Sequence, residues 1–197
     1  MAARNKIFDP RAGTAGQPAA TADTGITWGS SDRPRTIEYK TGELHRTLII
    51  VPALSFATTA AAKGIGQKVY TFPEGWILPV AARVKTITTT GATTAATAGE
   101  IGLGSTVASG AVAVLSGTAG FQNILDGKTI SNHVAVTALT SHVAAAGGGT
   151  SGTQDLLDGT STAVPVYLNI ASTYDGTGGV TLTSAEVEIL WYWIGDK

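Results

Sequence analysis

Cysteine is absent from the 197 residues, which excludes disulfides, thiolate nucleophiles and thiolate metal sites while leaving the redox compartment undecided. Charge is scarce as well: charged residues make up 14% of the chain and the formal net charge is -1, so no chain-wide field gathers nucleic acid or acidic lipid. No apolar run approaches the ~20 residues that a membrane-crossing helix needs. The opening Met1-Ala2-Ala3-Arg4-Asn5-Lys6-Ile7-Phe8-Asp9-Pro10 lacks the apolar stretch of a secretory signal, and the expectation is a protein made soluble in a cytoplasm. No Asn is followed two residues later by Ser or Thr, so an N-glycosylation acceptor is missing too.

What is present is a chain that is 43% hydrophobic, enough for one core at this length, and one domain is the default. Its few charges are unevenly placed. Residues 1–46 hold seven of the thirteen Lys and Arg, whereas residues 91–183 hold only Lys128 among Gly, Ala, Thr, Ser and Val. Such a stretch stays soluble through hydroxyls on strand faces and turns, or through cover in an assembly. Residues 1–35, with Pro10, Gly13, Gly16, Pro18 and Pro34, show a period of neither 2 nor 3.6 and read as an extended arm. Fully extended, an arm of that length reaches on the order of 110 Å at ~3.3 Å per residue. Phe8, Ile26 and Trp28 are anchors that a purely solvated tail does not need.

Residues 36–197 read as the folded domain, a series of short strands. Leu44 to Val51 is β-branched and stops at Pro52; Gln67 to Phe72 meets the turn Pro73-Glu74-Gly75, which predicts a hairpin into Trp76 to Thr90. There Val80, Ala82 and Val84 alternate with Ala81, Arg83 and Lys85. Further strands are expected at 99–104, 112–115, 129–136, 164–170 and 185–194, with turns at Asp126-Gly127, Asp158-Gly159 and Asp175-Gly176. Eight or so strands without an amphipathic helix predict an all-β sandwich, and the jelly roll is the eight-stranded form that recurs in capsid and lectin domains.

Chemistry is hard to find. His45, His133 and His142 show no metal-ligand spacing; a hairpin would bring the last two together, but surface or hydrogen-bonded histidines are the commoner case. Gly127-Lys128-Thr129 resembles the end of a phosphate loop, but Gln122 stands where the first glycine belongs. Gly99 to Gly104 is no dinucleotide fingerprint, since Val107 takes the place of the last glycine. No Gly-x-Ser-x-Gly elbow occurs, and of Asp126, Asp155, Asp158 and Asp175 three directly precede Gly and are explained as turn residues. The chain therefore reads as non-enzymatic, with no catalytic, cofactor or metal residues assigned. The last strand differs: beyond Glu186 and Glu188, Leu190-Trp191-Tyr192-Trp193-Ile194 is apolar on both faces. One face fills the core, and the other leaves Leu190, Tyr192 and Ile194 exposed unless a loop, the arm or another subunit covers them.

Three stretches resemble the head-decoration, or capsid auxiliary, proteins of tailed bacteriophages. They are Val69-Tyr70-Thr71-Phe72-Pro73-Glu74-Gly75-Trp76-Ile77-Leu78-Pro79-Val80, Glu100-Ile101-Gly102-Leu103-Gly104-Ser105, and Gly178-Gly179-Val180 with the closing Glu186-Val187-Glu188-Ile189-Leu190-Trp191-Tyr192. The resemblance implies a β-sandwich seated on the capsid exterior, often as a homotrimer, clamping the major capsid protein, with neither nucleic acid nor membrane as partner. The arm departs from the compact members of that family. Phe8, Ile26, Trp28, Leu190, Tyr192 and Ile194 are the expected interface residues. A fibre or baseplate module that binds a host glycan on Trp28, Trp76 or Tyr174 is the alternative.

Overall fold

The computed structural model describes residues 6–8, 26–28, 34–56, 63–91, 99–112, 114–115, 118, 120–130, 137–145, 156–172 and 180–195. Among the described residues all regular structure is strand. In chain order these are β1 (Lys6–Phe8), β2 (Ile26–Trp28), β3 (Arg35–Thr41), β4 (Leu44–Val51), β5 (Leu54–Phe56), β6 (Gly64–Thr71) and β7 (Gly75–Gly91). There follow β8 (Gly99–Gly104), β9 (Leu125–Ile130), β10 (Thr137–Ala145), β11 (Leu157–Gly159), β12 (Pro165–Ser172) and β13 (Val180–Gly195). Every pairing is antiparallel, in one sheet of nine strands and one of four.

The larger sheet is built around β13, which pairs along one edge with β4 and β5 and along the other with β7. Pro52, which has no amide hydrogen, falls where β4 and β5 divide one line of chain into two strands. β3 lies beside β4 and β2 beside β5, β1 adds to β3, and β10 and β11 both line the far edge of β7. The smaller sheet runs β6, β12, β8, β9. The chain thus moves repeatedly between sheets, and the connection at Pro73-Glu74-Gly75 is one of these crossings. The sequence pattern predicts a hairpin there; instead β6 pairs with β12 while β7 pairs with β13, β10 and β11, and Gly75 takes φ 117° to turn the chain from one sheet into the other. A tight hairpin does occur at Gly42-Glu43, where Thr41 and Leu44 are register partners and Gly42 has φ 63°.

Alternation explains which faces meet. Ala185, Val187, Ile189 and Trp191 of β13, Ile49 and Val51 of β4, and Ile77 and Ala82 of β7 are buried in one cluster with Ile65 and Val69 of β6, Ile101 and Leu103 of β8, and Val166, Leu168 and Ile170 of β12. Two sheets closing one apolar core make this an antiparallel β-sandwich. Trp191, fully buried, is the largest of these side chains. Removing the ~150–250 Å² of such a ring from water is worth about 4–6 kcal/mol at ~25 cal/mol per Å² before ordering costs.

The outward face of the smaller sheet is covered by the chain itself. The segment between β8 and β9 folds back over it and forms a second cluster of Ala108, Leu115, Phe121 and Ala171, with Val112 packed alongside. Asn169, fully buried on β12, pins this cover: its Oδ1 accepts from the Ala108 amide at 2.9 Å, and its Nδ2 donates to the Thr106 and Phe121 carbonyls at 2.9 and 2.8 Å. Close approach requires glycine beneath. A Cβ on Gly66 would collide with Asn169 Oδ1, and one on Gly104 with the Gly120 carbonyl. Two strand and turn expectations change here. Residues 112–115 belong to this cover rather than to a strand, with the Leu115 amide donating to Glu100 Oε2 at 2.7 Å. Asp126-Gly127 lies inside β9, where the Gly127 amide donates to Gln122 Oε1 at 2.9 Å and the β8–β9 register shifts.

Of the expected arm, β1 and β2 are described as backbone. Phe8 is the register partner of Thr36, Ile26 of Phe56 and Trp28 of Leu54, so both short strands extend the larger sheet of their own chain. The side chains of these three residues and the remainder of residues 1–33 lie outside the described residues, as does Tyr174.

Candidate interface on the outward face of the large sheet

Side chains on alternate positions of β13 point away from the core. Glu186, Glu188 and Leu190 are half-buried there, and Tyr192 and Ile194 are 39% and 57% exposed. Register places neighbours beside them. Leu44, Arg46, Leu48 and Ile50 of β4 face Tyr192, Leu190, Glu188 and Glu186; Leu78, Ala81 and Arg83 of β7 face Tyr192, Leu190 and Glu188 from the other side. The three expected β13 residues are therefore brought together on one face, at the end of the strand nearest Trp76 and Asp158. Ile50, on the same face, is 40% exposed. An antiparallel sheet with one face in water normally shows polar residues there. This one shows leucine, isoleucine and tyrosine.

In the middle of the apolar field sits an ion cluster that the sequence reading missed. Glu188 accepts from Arg46 Nε at 2.5 Å and Nη2 at 3.2 Å, and from Arg83 Nε at 3.0 Å and Nη2 at 2.7 Å. The Arg46 guanidinium also lies 5.3 Å from the centre of the Tyr39 ring. Burial pushes the Glu188 carboxyl up, but the hydrogen bonds and charges of Arg46 and Arg83 outweigh it and hold the group below its usual 4.5. Two guanidiniums share one carboxylate, on side chains 43% and 41% exposed, and Glu186 stands two positions along the same face of β13. The signal was in the sequence: Leu44, Arg46, Leu48 and Ile50 alternate in β4 as Glu186, Glu188 and Leu190 do in β13. Only the pairing register shows that the two rows meet.

A depressed folded-state value means that the unfolded chain binds more protons just below pH 4.5, so the contribution of Glu188 is complete above that pH and is lost as pH falls through the folded value. The expected result for Glu188→Gln is a loss of about 1–2 kcal/mol at pH 7, discounted for the exposure of both arginines, together with a shallower acid limb below pH 4.5. Urea titrations at pH 7 and pH 4 measure both.

The other polar candidates are structural in their surroundings. Asp158 accepts from the Thr160 amide at 3.0 Å and its hydroxyl at 2.7 Å, bonds that hold its carboxyl below the usual range on the exposed side of β11, where the sequence pattern predicts a turn and the structure has a short strand paired with β7. A general acid needs the opposite shift. Asp155, Asp175 and His133 lie outside the described residues, as does the side chain of His142. Among the described residues no group of three His, Asp or Glu is placed to hold a metal ion.

The fold and this face define a class: an antiparallel β-sandwich with one outward face partly covered by its own chain and the other showing apolar side chains around an ion cluster. Compared with protein-family models, curated proteins and solved structures, the chain matches none.

Proposed function

We propose that the chain is a virion structural protein, a decoration subunit that binds the outer surface of a tailed-phage capsid and stabilises it. The observation that carries this reading is the contrast between the two outward faces. The small sheet is covered by Ala108, Val112, Leu115 and Phe121 of the same chain, whereas the large sheet presents Ile50, Tyr192 and Ile194 around the Arg46–Glu188–Arg83 cluster. A jelly roll is the arrangement we favour. Its support is the strand order β4, β13, β7, β10 in one sheet against β6, β12, β8, β9 in the other, which the chain visits by crossing between sheets. The major capsid protein is the partner of the outward face, and self-association into a homotrimer presents several such faces at once. A lattice of linked sites then multiplies modest contacts. No catalytic residue enters this function, and the site of action is the capsid exterior, reached after assembly in the host cytoplasm.

The test is co-sedimentation of purified protein with mature heads of the phage whose genome encodes it, followed by thermal challenge. Saturable binding and a higher head-disruption temperature are expected; heads that bind none at any concentration would overturn the reading. A second reading, a fibre or baseplate module for a host glycan, is favoured by the pairing of Trp76 with ionised Asp158 on the outward face. Saturable binding on a glycan array, without head binding, would select it.

A further inference from the structure

On the inward side of β13, directly beneath the proposed docking face, a polar chain runs through the end of the core. The Trp191 indole N–H donates to Thr47 Oγ1 at 2.8 Å, and the Tyr70 hydroxyl bonds to Thr47 and donates to Glu38. Burial first, then the Glu38 charge and hydrogen bond, push the Tyr70 phenol far up, so it stays a donor at any physiological pH. Phe72 meets Trp191 edge-on at 5.1 Å and Tyr70 at 5.3 Å. His45 completes the cluster: its ring lies 4.0 Å from that of Trp191 at 19°, and both ring nitrogens are buried without a hydrogen-bond partner.

We propose that the His45–Trp191 stack is a pH-sensitive latch, which holds the β3–β4 hairpin against the closing strand while the imidazole is neutral and releases it when the ring is protonated. The groups around the ring come from each neighbouring element: Lys40 and Glu38 from β3, Glu43 from the turn, Tyr70 from β6 and Trp191 from β13. Burial and Lys40 oppose the imidazolium; Glu38 and Glu43 favour it, and Glu38 is already engaged by Tyr70. The net direction is down from 6.5. A proton added here turns one orphaned acceptor into a second orphaned donor and places a charge against the Trp191 ring. Contact of an imidazolium with the indole face does not offset both. Ring exit is the remaining route. Because Trp191 points inward from the strand that carries Leu190 and Tyr192 outward, the latch and the outward face share one rigid element.

With the folded value below the free one, the unfolded chain takes up the proton first. Stability is then complete above pH 6.5, falls as pH drops below 6.5 through the folded value, and levels off beneath it. Each unit between the two values is tenfold in the ratio of folded to unfolded chains, or roughly 3–5 °C in Tm for a protein of this size.

The experiment measures the His45 imidazole resonance, tryptophan fluorescence and Tm between pH 7.5 and 5 on the full chain. A His45 midpoint below 6.5 is expected, with a fluorescence change and a fall in Tm on the same window. His45→Phe keeps the stack without a proton site and flattens both curves; Lys40→Met moves the His45 midpoint upward. A His45 midpoint at or above 6.5, or an unchanged pH profile in His45→Phe, overturns the latch. Should that variant fail to fold, the wild-type resonance and the Lys40→Met shift still decide. None of these readouts involves capsids, so failure here leaves the proposed function untouched.

Discussion

Asn169→Leu is expected to lower stability by about 3 kcal/mol, because three backbone groups, two of them buried, lose their partners at once. The Ala108 amide loses its acceptor, and the Thr106 and Phe121 carbonyls lose their donor. Each such group left dry costs about 1–3 kcal/mol, and leucine returns little because the slot is shaped for a planar amide. Against a typical reserve of ~5–15 kcal/mol that is a large share. At roughly 2–4 °C per kcal/mol, Tm falls by about 6–12 °C. The damage has an address as well as a size. Asn169 and the cluster of Ala108, Leu115 and Phe121 hold the cover together with the Leu115 amide–Glu100 bond and the Gly64 amide–Gly110 carbonyl bond, so proteolysis should cut first between β8 and β9. Gly66→Ala, which drives a methyl into Asn169 Oδ1, is expected to reproduce the pattern more weakly.

Asn169→Asp separates hydrogen bonding from volume. The carboxylate keeps an acceptor for the Ala108 amide but faces the Thr106 and Phe121 carbonyls with no donor. In the fold its proton is retained to higher pH than in the unfolded chain, so the native state binds more protons, and stability falls as pH rises above ~4. Urea titrations at pH 4 and pH 7 should show the aspartate variant closer to wild type at the lower pH. A leucine variant within about 1 kcal/mol of wild type, with the 105–124 segment still protected, would mean that the amide is incidental to the cover.

Local patterns in the sequence were enough to place four of the long strands but not β10, whose nine residues carry no such alternation. β4, β7, β12 and β13 each carry several apolar residues at every second position, and that signal survives without knowledge of neighbours. Shorter signals were ambiguous for a physical reason. Val112 to Leu115 is an apolar run of a kind that serves a strand or a packed loop equally, and here Leu115 fills the second cluster while Val114 is 42% exposed. Pro73-Glu74-Gly75 specifies a corner but not which sheet follows it; the choice belongs to β12 and β13, about 100 residues away in sequence. The site shows the same division. Leu190, Tyr192 and Ile194 were legible because one strand was apolar on both faces. Glu188 with Arg46 and Arg83 was not, because those contacts span sequence separations of 142 and 105.

Tyr192→Ser combined with Ile194→Ser should abolish head binding while leaving the fold intact, if the outward face docks as proposed. Tyr192 is 39% and Ile194 57% exposed, so truncation loses part of their packing and a drop of several degrees in Tm is expected while the core stays folded. Binding responds differently. Anchors at the centre of an interface cost about 2 kcal/mol or more each on truncation, so two remove roughly 4 kcal/mol, close to a thousandfold per contact. An assembly that docks through several linked copies amplifies that loss, since each copy forfeits the same term. Arg83→Glu tests the polar centre of the face. It removes one of the two guanidiniums on Glu188 and sets a carboxylate against that group, so a modest destabilisation is expected alongside weaker binding that no longer responds to salt. Co-sedimentation with heads at about 50 mM and about 300 mM salt, between which the screening length shortens roughly 2.4-fold, separates the two contributions. If the serine pair binds heads like wild type, the exposed end of β13 is not the docking surface, and the interface must be sought on the edges formed by β1, β2 and β10 instead.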